Sequence, residues 1–256
     1  MSGVGVRIIA FRVLAVPICL IIWELVSRSA LYNPQLFPAP SQVLVTLWGD
    51  LRSGLVLSDA RASLSRVAVG YLSGALAGIA FGLLTGRSDM ARATVGQVFQ
   101  LIRPIPPISF VPIAILWFGL GEFAKYFLVF FGVFFPVWIS AHLGVNHIER
   151  SYIWTAQSMG ASRWSQIFNV YLPAAAPLIF AGLRVAVATS FFCLVAAEIA
   201  GASSGLAFRI EISHLAFRVE RMFANLIVLG ILSAAADQGL AFGIRKLFPW
   251  AQERAP

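Results

Sequence analysis

Charge is scarce in this chain. Only 12% of its 256 residues are Asp, Glu, Lys or Arg, against about 25% in an ordinary soluble domain. A water-soluble fold must clothe its surface in polar groups, and a chain that is 59% hydrophobic with a mean hydropathy of +0.83 has too few of them. A single soluble core is thereby excluded, and the bilayer is the natural solvent. Lysine is nearly missing: Lys125 and Lys246 are the only two, so the net charge of +8 rests on arginine. No basic run or RNA-binding motif gathers that charge, which argues against nucleic acid. Arginine in loops beside anionic headgroups accounts for it. Cysteine is limited to Cys19 and Cys193, both in apolar stretches and neither in CxxC, so no disulfide framework follows. His142, His147 and His214 lack ligand spacing such as HExxH, and no metal site is expected. Neither lysine follows a glycine, so there is no GxxxxGK[ST] loop to cradle ATP phosphates. No catalytic constellation is visible, and the chain reads as a non-enzyme.

What the chain does have is long apolar segments from end to end, with no low-complexity linker and no polar half. One all-α transmembrane domain over residues 1–256 is expected. A helix crossing the hydrocarbon core needs about 20 apolar residues. Six candidates appear, at residues 8–26, 67–86, 97–120, 123–143, 174–197 and 222–244, with a core bundle over 67–244. Arg12 shortens the first. No small-x-small cleavage site follows it, so it reads as a retained helix rather than a signal peptide. Two long loops remain, at 27–66 and 147–173. The first carries Pro34, Pro38 and Pro40, then a mixed segment from Ser41 suited to an amphipathic interfacial helix.

Several span residues carry more than hydropathy. Gly70, Gly74, Gly78 and Gly82 recur every four positions, on one face of a helix. Small residues let a neighbouring backbone approach closely in lipid, so the stripe reads as a packing face, with a translocation lining as the alternative. Arg103-Pro-Ile-Pro-Pro107 interrupts the third span. Prolines remove donors and bend helices, and a membrane tolerates this where protein or water satisfies the freed carbonyls. Arg103 and Pro106 therefore mark either a wet path or a simple kink. Arg184 in the fifth span is costly in lipid. It is either a path residue that helps an anion cross or a partner for Asp237, Glu198 or helix-end carbonyls. Glu198 is placed at the start of the last outward loop, fixing that loop or contacting the path. Asp237 reads as satisfying a neighbouring helix end, with a proton relay as the alternative. Phe191 and Phe192 read as packing residues. Arg209, Arg218 and Arg221 read as solvated or as partners for an acidic surface.

The 147–173 segment is polar yet helical in pattern. Ser151 to Met159 is followed by Gly160, which suits a helix C′ position. Ser162 can cap a second helix ending before Pro173. A helix–Gly–helix elbow on a membrane surface is a docking shape. Its sequence, from Tyr152 through Trp154, Thr155, Ala156, Met159, Gly160, Ala161 and Ser162 to Leu172-Pro173, resembles the EAA loop of ABC importer permeases. Ala156, Gly160 and Leu172-Pro173 match that pattern, while Trp154 and Thr155 depart from its Glu and Ala. More specifically, the chain is similar to the permeases for nitrate, sulfonate, taurine and bicarbonate. This resemblance is carried by Pro38-Ala-Pro40, Ser63-Leu-Ser-Arg66, Arg103-Pro-Ile-Pro-Pro107 and Ile115-Leu-Trp-Phe-Gly-Leu-Gly121. Gly182-Leu-Arg184, Ala197-Glu198, Gly205-Leu206, Asp237 and Trp250 extend it.

The resemblance implies a type I ABC importer permease fold in the bacterial inner membrane. It implies a second permease copy, as homodimer or heterodimer, a periplasmic substrate-binding protein, and a pair of cytoplasmic ATPase subunits that bind ATP and Mg. This chain would bind no cofactor itself. The 147–173 loop would couple it to the ATPase, with that loop and both termini cytoplasmic; arginine placement favours this orientation only by a small excess. The solute would be a small anion, with a vitamin precursor or aromatic acid as the alternative. An ion-coupled secondary transporter would show repeated halves around broken helices, and no such repeat is present.

Overall fold

Without water to pair with, backbone groups in a bilayer must satisfy one another locally, which helices do. The computed structural model describes residues 3–29 and 35–248, and among them there is no strand. We number ten helices. They are α1 (Gly3–Arg28), α2 (Pro40–Arg52), α3 (Leu55–Arg87), α4 (Asp89–Ile102), α5 (Pro107–Phe118) and α6 (Glu122–Asn146). Then follow α7 (Arg150–Ser158), α8 (Arg163–Gly201), α9 (Leu206–Leu215) and α10 (Val219–Leu247). Among the described residues four helices, α3, α6, α8 and α10, are long and apolar enough to cross a membrane. The α4–α5 pair makes a fifth candidate, bent by 88° between its halves. The expected first span lies on α1, but the side chains of residues 3–13 fall outside the described set, as do Pro34 and Trp250.

Two corrections concern boundaries. The expected 27–66 loop is mostly helical: α2 fills its middle, and α3 begins at Leu55, well before the apolar run. Gly54, with φ +78°, makes the joint between them. Nor does Pro173 end the second helix of the elbow. Residues Ile167–Tyr171 widen into a π turn, the Leu172 N–H reaching back to the Ile167 carbonyl, and the helix continues to Gly201. A π turn accommodates a residue that offers no N–H, so the proline costs a bulge rather than a break.

The chain divides into two compact units. The first comprises residues 1–60 and 204–229. In it Asp59 accepts hydrogen bonds from the Gly205 N–H (2.9 Å) and Arg209 Nε (2.7 Å). Asp50 takes both arms of Arg221 at 2.8 Å. Trp23, Phe37 and Phe223 pack their rings together with centroids 5.6–6.5 Å apart. Arg209 and Arg221, read from sequence as solvated or waiting for an outside partner, are thus paired within the chain.

The second unit comprises residues 61–203 and 230–256. Its centre is α6, with Val129, Val133, Trp138 and Ala141 buried. The α3 glycines lie against it in register. A Cβ at Gly74 or Gly78 would stand 2.7 or 2.9 Å from the carbonyl oxygens of Phe130 and Phe134, while at Gly70 and Gly82 it would meet Val129 and Ala141. The two helices run parallel at backbone contact, which only glycine permits. On the other side α8 runs antiparallel to α6, with Gly132 against Cys193 and Gly144 against Ala175. From α4, Phe99 sets its ring edge-on to Phe134 and Trp138, at 5.1 and 5.3 Å.

Candidate functional site

The elbow between α7 and α8 is built by capping. Gly160 takes φ +74°, the left-handed turn that glycine tolerates best. Its N–H bonds to the Gln157 carbonyl and the Ala161 N–H to the Ala156 carbonyl, a complete Schellman stop. Ser162 then starts α8, its Oγ accepting from the Ser165 N–H at 3.2 Å. The elbow is fixed from below, where Ile148 and Ile153 pack on the cluster of Ala141, Val145, Tyr171, Ala175 and Ile179. Its outer face carries large side chains with little cover: Tyr152, Trp154, Met159 and Trp164 are 55–81% exposed. The Trp164 ring stacks on Phe168. Thr155 spends its hydroxyl on the Ser151 carbonyl at 2.8 Å, so it cannot reach far for a partner.

Each end of α3 carries a polar network. At one end Arg66, with a side chain 3% exposed, donates to Glu198 Oε1 (2.8 Å) and to both oxygens of Glu122 (2.7 and 2.8 Å). Ser63 Oγ also donates to Glu198, at 2.8 Å, and Lys125 Nζ contacts Glu122 at 3.1 Å. Glu198 is fully buried in the last turn of α8 rather than at the start of a loop, which corrects the sequence reading. At the other end Trp138 Nε1 donates to Thr85 Oγ1 (3.1 Å), and Thr85 pairs with His142 Nδ1 (3.0 Å). Asn146 joins His142 Nε2 at 2.9 Å and accepts from Arg92 at 2.9 Å. Neither network was foreseen, because pairs such as Arg66 and Glu198, 132 positions apart, leave no local pattern in a sequence.

The four residues singled out for a path do not form one constellation. Arg184 pairs with Asp237 through two bonds of 3.2 and 2.9 Å. Glu198 belongs to the buried network. Arg103 and Pro106 lie at the α4–α5 bend. There Arg103 closes α4, donating its N–H to the Phe99 carbonyl. Arg103 is among the residues around a cavity of about 370 Å³, together with Phe131, Phe135, Phe192 and Cys193. Among the described residues there is no group of three or more His, Cys, Asp or Glu placed to hold a metal.

The chain is thus mostly helical, with helices long and apolar enough to cross a membrane. Residues 74–242 match the family of binding-protein-dependent transport system inner membrane components, and the chain belongs to that family. It is 33% identical to the taurine transport system permease protein TauC of Escherichia coli (strain K12), over 92% of this chain and 88% of that one. It is 30% identical to the nitrate import permease protein NrtB of Synechocystis, over 89% of this chain and 85% of that one. In fold it matches a chain of the MetNI methionine ABC transporter in an inward-facing conformation, with a TM-score of 0.61 and 18% identity. That match covers 77% of this chain and 98% of the other. The chain is an ABC transporter permease.

Proposed function

We propose that this permease imports a small anionic solute and takes its energy from a pair of cytoplasmic ATPase subunits that dock on the α7–α8 elbow. The observation that carries this reading is the elbow itself. It is fixed to α6 through Ile148 and Ile153 and holds Tyr152, Trp154, Met159 and Trp164 outward. Exposed aromatic and Met side chains on a rigid base are what a protein partner buries as anchors. Closure of the ATPase pair would pull on two elbows, one from each of two permease copies, and rigid-body motion would switch the access of the path. A substrate-binding protein would deliver the solute on the opposite side, with the elbow and both termini cytoplasmic. The anionic class is supported by relatives named for taurine, an aminosulfonate, and for nitrate.

The test is reconstitution with the cognate ATPase subunit, comparing wild type with Gly160→Pro. Proline fixes φ near −65°, against the +74° found here. Stable co-purification with ATP turnover, both lost in the variant, supports the reading. Transport that persists without ATP or any ATPase partner overturns it.

A further inference from the structure

We propose that Arg92 is a positioning residue for coupling: through Asn146 it fastens the start of α4 to the root of the elbow, so that α4 follows α6 when the elbow is displaced. This rests on the ATPase docking proposed above and names the link that carries its motion to the α4–α5 pair.

Three features carry the inference. The first is place. Asn146 is the last residue of α6, and α7 begins at Arg150. Ile148, between them, packs on the cluster of Ala141, Val145 and Tyr171, so Asn146 moves with the elbow. Arg92 reaches it from the first turn of α4. Its Nη2 donates to Asn146 Oδ1 at 2.9 Å and to the Gly86 carbonyl at 3.0 Å. Its Nη1 lies 3.4 Å from Asp89. One guanidinium thus holds the last turn of α3, the first of α4 and the last of α6. The second is a departure from regular helix. Residues Arg92–Gly96 form a π turn. Such turns are rare and gather at functional sites, and this one begins at the residue that makes the link.

The third is the direction of the hydrogen bonds. A guanidinium has donors only. Arg92 therefore holds Asn146 with Oδ1 toward itself and with the amide N–H groups toward His142 Nε2, 2.9 Å away. Nε2 must accept, so the ring carries its proton on Nδ1 and donates it to Thr85 Oγ1 at 3.0 Å. Thr85 also accepts from Trp138 Nε1 at 3.1 Å and gives its own proton to the Phe81 carbonyl at 2.8 Å. Each member has one role, and the chain runs one way, from a partly exposed arginine to a fully buried threonine. A satisfied polar chain of this kind specifies a single arrangement of the elements it joins. Farther along α4, Phe99 sets its ring on Trp138 at 5.3 Å, so α4 meets the same chain at both ends. A guanidinium that only capped α3 would need neither Asn146 nor one tautomer of His142.

The test uses the permease with its ATPase subunits in nanodiscs, before and after trapping with ATP and vanadate. Spin labels go on Leu143→Cys in α6 or Leu101→Cys in α4, both exposed positions. Cys19→Ser removes the exposed native thiol, and Cys193 is buried. Pulsed electron paramagnetic resonance then reads the distance between the two permease copies at each site. Trapping should shift it at both. Asn146→Ala should keep the shift at Leu143 and lose it at Leu101. Arg92→Gln should do the same, and the double variant no more, because one link is cut once. Asn146 is exposed, so the thermal midpoint of Asn146→Ala should stay within about 2 °C of wild type. Nitrogen NMR of histidine-labelled permease reads the tautomer independently. His142 should be protonated on Nδ1 alone, and in Asn146→Asp, whose carboxylate accepts but cannot donate, Nε2 should gain a proton. A Leu101 shift that survives Asn146→Ala, a Leu101 distance that stays fixed in wild type while Leu143 shifts, or a wild-type ring protonated on Nε2 overturns the proposal. Failure of the ATPase to assemble, or no shift at Leu143 in wild type, overturns the importer reading together with it.

Discussion

One methyl group added at Gly78 probes whether α3 and α6 are held at backbone contact. In a helix interior alanine is better than glycine by about 1 kcal/mol, so Gly→Ala stabilises wherever there is room. At Gly78 there is none. The new Cβ would stand 2.9 Å from the Phe134 carbonyl oxygen, 2.9 Å from Val137 Cβ and 3.0 Å from the Trp138 nitrogen, where ordinary contact begins at 3.4 Å. Two of those atoms are backbone and cannot swing aside, so the helices must part by about half an ångström. A gap of ~0.5–1 Å forfeits a quarter to a half of each dispersion contact along the seam, and overpacking of this kind costs about 1–3 kcal/mol. After the propensity gain the net loss reaches about 2 kcal/mol, or a fall of up to about 8 °C in the thermal midpoint of the purified protein. Gly49 in α2 is the control, since an added Cβ there has nothing within 4 Å, and Gly49→Ala should raise the midpoint by ~2–4 °C. Gly78→Val should fall further than Gly78→Ala. If Gly78→Ala stabilises as much as Gly49→Ala, the close approach of α3 and α6 is wrong.

Glu198→Gln removes the buried carboxylate that Arg66 and Ser63 share. It should cost about 3 kcal/mol in detergent unfolding, while the double change Arg66→Met, Glu198→Leu should recover most of that loss. Arg184→Gln should lower stability and import together, and Asp237→Asn added to it should restore both if the pair serves structure. Import that stays lost in the double variant would assign Arg184 to the path. Trp154→Ala combined with Trp164→Ala should leave the midpoint of the permease within about 2 °C, because both rings are mostly exposed. It should weaken ATPase co-purification at least about tenfold, as loss of two interface anchors does.

Local chemistry was legible in the sequence and distant pairing was not. Apolar length located the helices because a bilayer admits few other solutions. It missed the first turns of α3, where Asp59, Arg61 and Arg66 spoil any hydropathy window although the helix is continuous. Those charges are tolerated because two of them find partners: Asp59 takes Arg209 and Arg66 takes Glu198. The partners come from segments remote in sequence, and this is why Arg209 and Arg221 read as solvated. The break at Gly160 was readable because one residue type satisfies a positive φ cheaply. Prolines announced a bend at residues 104–107 but not its 88°, which depends on where α5 finds a surface, with Phe110 against Phe131 at 4.3 Å. Pro173 misled because a π turn absorbs its missing donor.

That π turn bears on how a docking event at the elbow could be felt elsewhere. Had the chain broken at Pro173, the elbow would hang from a hinge and a push on it would be spent in local rotation. Instead one helix runs from Arg163 to Gly201, 39 residues, or about 58 Å at 1.5 Å per residue. Its near end carries Trp164 beside the Gly160 turn, and its far end carries Glu198 in the grip of Arg66 and Ser63. Between them it packs on α6 through Ala175 and Cys193 and lines the Arg103 cavity through Thr189 and Phe192. A displacement of the elbow therefore has a single stiff member to act on. The cavity wall and the buried carboxylate must move with it or the helix must bend, and the regular ladder of bonds in α8 is already open at the widened turn of Ile167–Tyr171 and at Pro177, which has no N–H to donate.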